Sequence, residues 1–194
     1  MSKRIVVLLG SPNKKSRSSA LAYEVVRHIE NANAEFISLE DIDARALLQA
    51  DFYHDQIKEL TSKVLAADAV ILAAPVYKAS ITAGLKAFID VLPENSLKGK
   101  TILSLASGGS IAHLLAIDHA LHPIITSLKA ERFIPTVFAT DADIEKRDTG
   151  EYHIESLDLR TRLKQAARAL TQSISAGLDA ASNTQTFTIR LATV

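Results

Sequence analysis

Five short apolar runs alternate along this chain with segments that have helical spacing. The runs lie at residues 4–9, 34–39, 68–74, 101–106 and 133–139. Several of them are apolar at nearly every position, which is typical of strands buried on both faces, as in parallel sheets. Strands that alternate with helices indicate βαβ units. The pattern therefore predicts an α/β fold: one parallel sheet covered by helices on both faces.

Right-handed crossovers and five strands favour the flavodoxin-like strand order 2-1-3-4-5. Helices are expected at residues 18–31, around 57–65, and at 82–92, 112–123 and 156–178, with irregular acidic stretches at 40–55 and 141–155. In such sheets a ligand binds outside the carboxyl ends of the strands, where the strand order reverses. We therefore expect a site beside the ends of strands one and three.

Composition excludes several classes of function. Lys plus Arg and Asp plus Glu are both 22, so the net charge is zero and gives no overall attraction to nucleic acid or membranes. The absence of Cys excludes disulfides, thiol catalysis and thiolate metal sites, and no metal site is predicted. Without a signal peptide or an apolar run near the ~20 residues of a membrane span, we expect a cytoplasmic protein. Residues 1–180 are predicted to form a single domain, followed by a tail at 181–194.

The loop after the first strand, residues 10–19, carries most of the chemistry. It contains neither a Walker A motif nor the G-x-G-x-x-G dinucleotide fingerprint. It does offer serine hydroxyls, an arginine and the start of a helix, and all three favour an anion such as phosphate. The residues predicted to bind phosphate are Ser11, Ser16, Arg17 and Ser18. The alternative is an ordinary polar loop in which Ser18 caps the helix.

Two further loops should meet the first at the same edge of the sheet. Glycines let a backbone approach a flat ring closely, and a proline fixes the chain beside it. We interpret the three loops together as a flavin site in which the first holds the single phosphate of FMN. The residues predicted to line the ring are Pro75, Val76, Tyr77 and Lys78 on one loop and Ser107, Gly108, Gly109 and Ser110 on the other.

These motifs resemble those of a known family. Residues 10–19, 75–79 and 107–115, with shorter matches at 92–94 and 97–100, are similar to the NADPH-dependent FMN reductases of alkanesulfonate utilisation. The resemblance covers residues 4–139 and fades beyond Asp141. It implies that the protein reduces FMN with NADPH or NADH and passes reduced FMN to a monooxygenase that releases sulfite from sulfonates. It also implies a homo-oligomer, dimer or tetramer, and assigns the phosphate and ring roles to the same residues as above.

The resemblance leaves some questions open. Hydride transfer to a flavin needs no protein acid or base, so no catalytic acid or base is predicted. One alternative is an enzyme that retains FMN and reduces a quinone, an azo dye or a metal ion; another is a flavodoxin-like electron carrier, which the neutral charge disfavours. The group that would recognise the 2′-phosphate of NADPH is also open among Arg17, Lys14, Lys15 and Lys78.

The fourth helical segment is irregular around Asp118 and His119, where its apolar stripe is interrupted. Single extra residues in helices form π-bulges, often at functional sites. Many members of the resembled family carry Tyr at the position of His119, in such a bulge at a tetramer interface. We therefore predict a π-bulge here, with an exposed His on a kinked helix as the alternative. The nearby His113 is expected to cap or pack a helix start.

The last stretch, residues 186–191, alternates between polar and apolar positions like a strand. It is interpreted either as a disordered end or as a segment that pairs with a neighbouring subunit.

Overall fold

A computed structural model of the chain describes residues 3–184, with side chains up to residue 177. Five parallel strands form one sheet in the order β2-β1-β3-β4-β5, which confirms the predicted flavodoxin-like topology. The strands are β1 (Lys3–Leu9), β2 (Ala32–Ser38), β3 (Ala69–Pro75), β4 (Thr101–Gly108) and β5 (Arg132–Thr140).

Helices cover both faces of the sheet. They are α1 (Arg17–Arg27), α2 (Ala44–Leu48), α3 (Asp55–Ala66), α4 (Ala83–Asp90), α5 (His122–Ser127) and α6 (Leu157–Thr184). Three short 3₁₀ turns span Leu39–Asp41, Ile111–Leu114 and Asp141–Asp143, and a π-helical turn spans Ile117–Leu121. None of the described helices combines the length and the apolar character needed to cross a bilayer.

Each face of the sheet has its own apolar core. On one face, residues of α1 and α6 such as Leu21 and Leu163 pack against alternate strand residues and are fully buried. On the other face, α3, α4 and the segment from the π-helical turn to α5 supply the core, including Phe88 and Ile117. Burial on both faces explains why the three central strands, β1, β3 and β4, are nearly continuous apolar runs, whereas the edge strand β2 is not.

Two stretches predicted as irregular contain regular structure. Residues 40–55 include α2, and residues 141–155 include an antiparallel hairpin of β6 (Ile144–Lys146) and β7 (Tyr152–Ile154). Ile144 and Ile154 pair across this hairpin and join the core beneath α1 and α6. The hairpin is held by two buried apolar side chains in an otherwise polar sequence, so hydrophobic alternation could not reveal it.

The end of the chain also differs from expectation. Helix α6 continues to residue 184 rather than 178, so the boundary placed at residue 180 falls inside a helix. The strand-like stretch at 186–191 lies outside the described residues.

The first loop is attached to β3 and α4 at Gly10. The Gly10 N–H donates to the Ala73 carbonyl at 2.8 Å, and the Thr82 hydroxyl donates to the Gly10 carbonyl at 2.5 Å. A Cβ at Gly10 would lie only 2.9 Å from Leu85 Cδ2 and 3.1 Å from Ala74 Cβ. Because Gly10 has no side chain, the loop at residues 10–19 can pack directly on the sheet and α4.

We expect Gly10→Ala to reduce the free energy of unfolding by about 1–3 kcal/mol, because overpacking displaces Leu85 or the loop. Gly109→Ala is the matched control, since nothing lies within 4 Å of a Cβ there, and it should change stability by less than about 0.5 kcal/mol. Urea denaturation of both variants measures the difference. Equal losses in the two variants would contradict the packing account.

Candidate functional site

The carboxyl ends of β1, β3 and β4 bring the three predicted loops to one edge of the sheet. Leu9 is paired with Ala73, and Pro75 with Ser107. Beyond the ladder, the Val76 N–H donates to the Ser107 carbonyl at 2.8 Å. Neighbouring parallel strands end together, so the loops that follow them form a continuous surface.

The first loop leads into α1 through a serine cap. Ser16 is the N-cap: its hydroxyl accepts from the Ser19 N–H at 3.1 Å and lies 2.7 Å from the Ser19 hydroxyl. The Ser18 hydroxyl lies 3.2 Å from that of Ser16, and Ser18 is fully buried. The cap is therefore Ser16 and not Ser18, the capping residue in the alternative interpretation of this loop.

Burial divides the four predicted phosphate residues into two pairs. Ser11 is 3% exposed and its hydroxyl accepts from the Asn13 N–H at 3.3 Å, so it shapes the loop from inside, as Ser18 does. Ser16 and Arg17 are partly exposed. Of the four, Ser16 and Arg17 are therefore the side chains that a ligand can reach. The Asn13 and Lys14 N–H groups are already bonded, to the Ser11 hydroxyl and to Glu40 Oε2 at 2.8 Å.

Arg17 makes contacts that the sequence analysis missed. Its Nε lies 3.4 Å from Asp141 Oδ1 and donates to the Ile144 carbonyl at 3.4 Å. Its guanidinium carbon lies 5.2 Å from the centre of the Tyr152 ring, a cation–π distance. The hairpin thus competes with any bound anion for Arg17. No local signal could show this, because the partners lie more than 120 residues further along the chain.

The second loop is a tight turn. Tyr77 and Ser80 exchange backbone hydrogen bonds at 2.9 and 3.0 Å, and the two residues between them, Lys78 and Ala79, have φ of 49° and 58°. Positive φ at both central positions is the type I′ pattern, which costs energy for residues with a Cβ. The Tyr77 ring is 52% exposed. The turn thus places Tyr77 and Lys78 on the protein surface at the carboxyl ends of the strands.

The third loop is half buried. Ser107 is 3% exposed and Gly108 is also buried, because β4 extends to Gly108. Gly109 and Ser110 are exposed, and the Ser110 hydroxyl accepts from the Ala112 N–H at 3.3 Å as the cap of the following 3₁₀ turn. Of the four predicted residues, the last two are the ones that a ligand at this edge can meet.

His113 packs over the third loop instead of capping a helix. A Cβ at Gly108 would lie 3.2 Å from His113 Nδ1 and 3.1 Å from Phe138 Cζ. The imidazole therefore occupies the space left by the missing side chain of Gly108. This is the packing role, one of the two roles expected for His113.

The predicted π-bulge is confirmed as a π-helical turn at Ile117–Leu121. Both end residues of the turn are buried, whereas Asp118 and His119 are exposed. Asp118 Oδ1 lies 3.2 Å from His122 Nδ1. Pro123 falls in the first turn of α5, where its missing N–H costs little.

The surface formed by these loops suits a planar molecule that carries a phosphate. A helix N-terminus, a hydroxyl and a guanidinium lie at one end, and together they favour an anion. The exposed side chain of Tyr77, on the second loop, adds apolar surface at this edge. The backbone at Gly109 is open to close approach, since nothing lies within 4 Å of the position that a Cβ would take there. These residues fit FMN.

Asp143 fixes the start of the hairpin that contacts Arg17. Its Oδ2 accepts from both the Thr140 N–H and the Thr140 hydroxyl at 2.8 Å. Burial acts to raise the pKa of Asp143, but hydrogen bonds from Thr140 and Ser156 and the nearby Arg162 charge outweigh it, so the pKa is lowered.

Comparison with known proteins gives a consistent result. The family model described as NADPH-dependent FMN reductase matches residues 3–143, most of the described chain. An Escherichia coli protein named FMN reductase (NADPH) is 37% identical over 176 residues, which cover 88% of this chain and 90% of the relative.

Other relatives carry different names. A Pseudomonas fluorescens protein named NADH-dependent FMN reductase SfnF is 33% identical, covering 84% of this chain and 88% of its own length. A Staphylococcus aureus FMN-dependent NADPH-azoreductase is 28% identical, covering 82% and 88%. Among solved structures, the apo form of the NADH:FMN oxidoreductase EMOB superposes with a TM-score of 0.76 at 33% identity, covering 87% of this chain and 88% of that one.

Asp143→Asn should destabilise the protein by about 1–2 kcal/mol at neutral pH, because an amide accepts the Thr140 hydrogen bonds more weakly than a carboxylate. Because the pKa of Asp143 is lower in the folded protein than in the unfolded chain, its carboxylate stabilises the fold at pH values above the unfolded-state pKa. This stabilisation is lost as the pH falls through the folded-state pKa. The difference between wild type and variant should therefore shrink as the pH is lowered below about 4. Urea unfolding across this range measures it. Asp148→Asn, an exposed carboxylate of the same hairpin, is the control, and a difference independent of pH would contradict the prediction.

Proposed function

This chain belongs to the NADPH-dependent FMN reductase family, and we propose that it supplies reduced FMN to a partner monooxygenase in the assimilation of sulfur from sulfonates. Its activity is the reduction of FMN by NAD(P)H. When bound, FMN supplies the redox chemistry, since its ring accepts a hydride from the nicotinamide. The task of the chain is then to bind and orient the two ring systems and to exclude water between them.

We assign the phosphate of FMN to the exposed part of the first loop. Ser16 and Arg17 provide the side-chain donors, with the N-terminus of α1 beside them. Ser11 and Ser18 hold the loop in shape from its buried side.

The ring is assigned to the second and third loops. Pro75, Val76, Tyr77 and Lys78 lie on one side and Ser107, Gly108, Gly109 and Ser110 on the other, and the exposed members provide the contacts. The N–H groups of Val76 and Tyr77 are already bonded to protein carbonyls. The groups that face the ring edge are then the tip of the turn, at Lys78 and Ala79, and the backbone at Gly109.

The first loop carries the proposal that FMN is released and not retained. Three serines and one arginine are predicted to bind the phosphate. Two of them, Ser11 and Ser18, are buried, and Arg17 already forms an ion pair with Asp141. A phosphate held by few accessible donors is bound with moderate affinity. Moderate affinity suits a flavin that enters oxidised and leaves reduced.

The sulfonate role rests on the motif resemblance in residues 75–79 and 107–115. The second candidate is an enzyme that retains FMN and reduces azo compounds, which the similarity to the Staphylococcus aureus azoreductase favours. The two differ in flavin affinity and in the final electron acceptor. In either role both nucleotide substrates are intracellular, so we assign the protein to the cytoplasm.

We also propose that the π-helical turn contributes to a homo-oligomer, a dimer or tetramer. Asp118 and His119 are exposed on it, and the preceding turn exposes the large apolar side chains of Ile111 and Leu115, at 63% and 58%. Apolar side chains exposed together are typical of a surface that contacts another protein.

Purified protein should lack stoichiometric flavin in its visible spectrum and should oxidise NADPH or NADH when FMN is added. With an alkanesulfonate monooxygenase, oxygen and a sulfonate in the same reaction, sulfite should accumulate. Riboflavin, which lacks the phosphate, should require a much higher concentration than FMN. A yellow protein with one FMN per chain that reduces azo dyes, and yields no sulfite in the coupled reaction, would favour the second candidate.

Substitutions of the two members of the Arg17–Asp141 ion pair should change the KM for FMN in opposite directions. Arg17→Ala should raise the KM for FMN about tenfold or more, because a charge-assisted hydrogen bond to phosphate is lost. Asp141→Asn should lower it by a few fold, because Arg17 loses its competing partner and a negative charge leaves the site. The KM for riboflavin is the control and should be unchanged in both. Parallel changes for FMN and riboflavin would contradict the phosphate assignment.

A further inference from the structure

A cleft of about 700 Å³ opens beside the first loop, on the face of the sheet covered by α1 and α6. One wall is a single face of α1, from Ser16 to Arg27, which is about 16 Å long at the helical rise per residue. The opposite wall is the β6–β7 hairpin with the start of α6. The cleft is lined by Lys14, Lys15, Ser16, Ser19, Ala20, Tyr23, Glu24, Arg27, Glu151, Tyr152, His153, Ile154 and Arg160. It includes none of the residues assigned to the flavin ring.

The lining is positively charged although the whole chain is neutral. Four permanent cations, Lys14, Lys15, Arg27 and Arg160, face two carboxylates, Glu24 and Glu151. The Lys14 ammonium is 2.5 Å from Asp41, a contact that raises the pKa of Lys14, and Arg27 is 2.9 Å from Glu24. Among the ion pairs of residues 3–177, none involves Lys15 or Arg160. Arg160 Nε and Nη2, however, both donate to the Ile154 carbonyl, at 2.8 and 2.5 Å. Within residues 3–177, Lys15 is therefore the cation of this lining that an anion can engage without displacing an existing side-chain contact.

Two tyrosines form aromatic walls. The Tyr23 ring stacks on Phe36, with ring centres 4.7 Å apart, and is 45% exposed. The Arg17 guanidinium carbon and Lys146 Nζ lie 5.2 and 5.9 Å from the centre of the Tyr152 ring. The Tyr23 ring is fixed by Phe36 and is partly exposed, so it offers a preformed surface to a flat base. Aromatic surface combined with excess positive charge suits a nucleotide.

We propose that this cleft binds the adenosine 2′-phosphate end of NADPH. The inference rests on the proposed function, in which the nicotinamide lies over a flavin ring held by the loops after β3 and β4. Ser16 lines the cleft and also belongs to the loop assigned to the FMN phosphate. The cleft therefore begins where the flavin site ends, and a dinucleotide that runs along α1 reaches it. Of the four groups that the sequence left open for the 2′-phosphate, Lys14 and Lys15 lie in the cleft; Lys78 does not, and Arg17 is engaged by the hairpin.

The proposal predicts that the cleft discriminates between the two nicotinamide nucleotides. Lys15→Glu should raise the KM for NADPH about tenfold, as expected from loss of one phosphate contact, and should change the KM for NADH less than about twofold. With FMN saturating, so that any effect on the adjoining phosphate loop is removed, the change should appear in the KM for NADPH and not in kcat, because Lys15 lies outside the two loops assigned to the ring. Lys98→Glu, an exposed lysine that does not line the cleft, is the matched control and should leave both KM values unchanged. Equal changes for NADPH and NADH in Lys15→Glu, or no change for either, would overturn the proposal.

Direct binding provides a test that does not depend on turnover. Titration calorimetry should detect 2′,5′-ADP binding to the wild-type protein, weaker binding of 5′-ADP, and about tenfold weaker 2′,5′-ADP binding to Lys15→Glu. In kinetics 2′,5′-ADP should compete with NADPH and not with FMN. Failure to bind, or competition with FMN alone, would overturn this inference and leave the FMN reductase assignment intact. Wild-type protein that bound 2′,5′-ADP but oxidised no nucleotide with FMN would instead contradict the proposed function.

Discussion

The functional edge of this protein depends on one constraint: neighbouring parallel strands end at the same side of the sheet. At each strand end, backbone N–H and C=O groups no longer have partners in the sheet, so residues of the loops must form hydrogen bonds with them. Gly10 is bonded to Ala73 and to Thr82, and Val76 to Ser107. These hydrogen bonds fix the loops relative to the sheet. A ligand site built on them needs little reordering when the ligand arrives.

The sheet and the three loops could be predicted because their signals are local. Continuous apolar runs identify buried strands, and topology then places the loops at one edge. What the sequence could not show depends on distant contacts. The burial of Ser11 and Ser18 follows from packing, and the engagement of Arg17 by Asp141 follows from a hairpin far along the chain. The left-handed residue Lys78 has no glycine or asparagine signature that would indicate its conformation.

The two ends of the proposed flavin site differ, and the difference has a chemical rationale. The end assigned to the ring includes strained backbone at Lys78 and Ala79, which is typical of functional sites where surrounding structure fixes the conformation. The phosphate end has few accessible donors, and the principal one, Arg17, already has a carboxylate and an aromatic partner. Under the proposed assignment, geometry is fixed where the hydride would be transferred, and affinity is limited where the phosphate would be anchored. Both properties are those that the proposed release of reduced FMN requires.

The hairpin links this limited anchoring to the choice of nucleotide. Tyr152 contacts Arg17 on the flavin side, and it also forms one wall of the cleft along α1. The same short hairpin therefore borders both of the anion sites that we propose on a chain with no net charge. Each bound phosphate would contribute negative charge, so occupation of one proposed site would act electrostatically on the other. Reciprocal linkage then requires that any effect of NADPH on FMN affinity be matched by an equal effect of FMN on NADPH affinity.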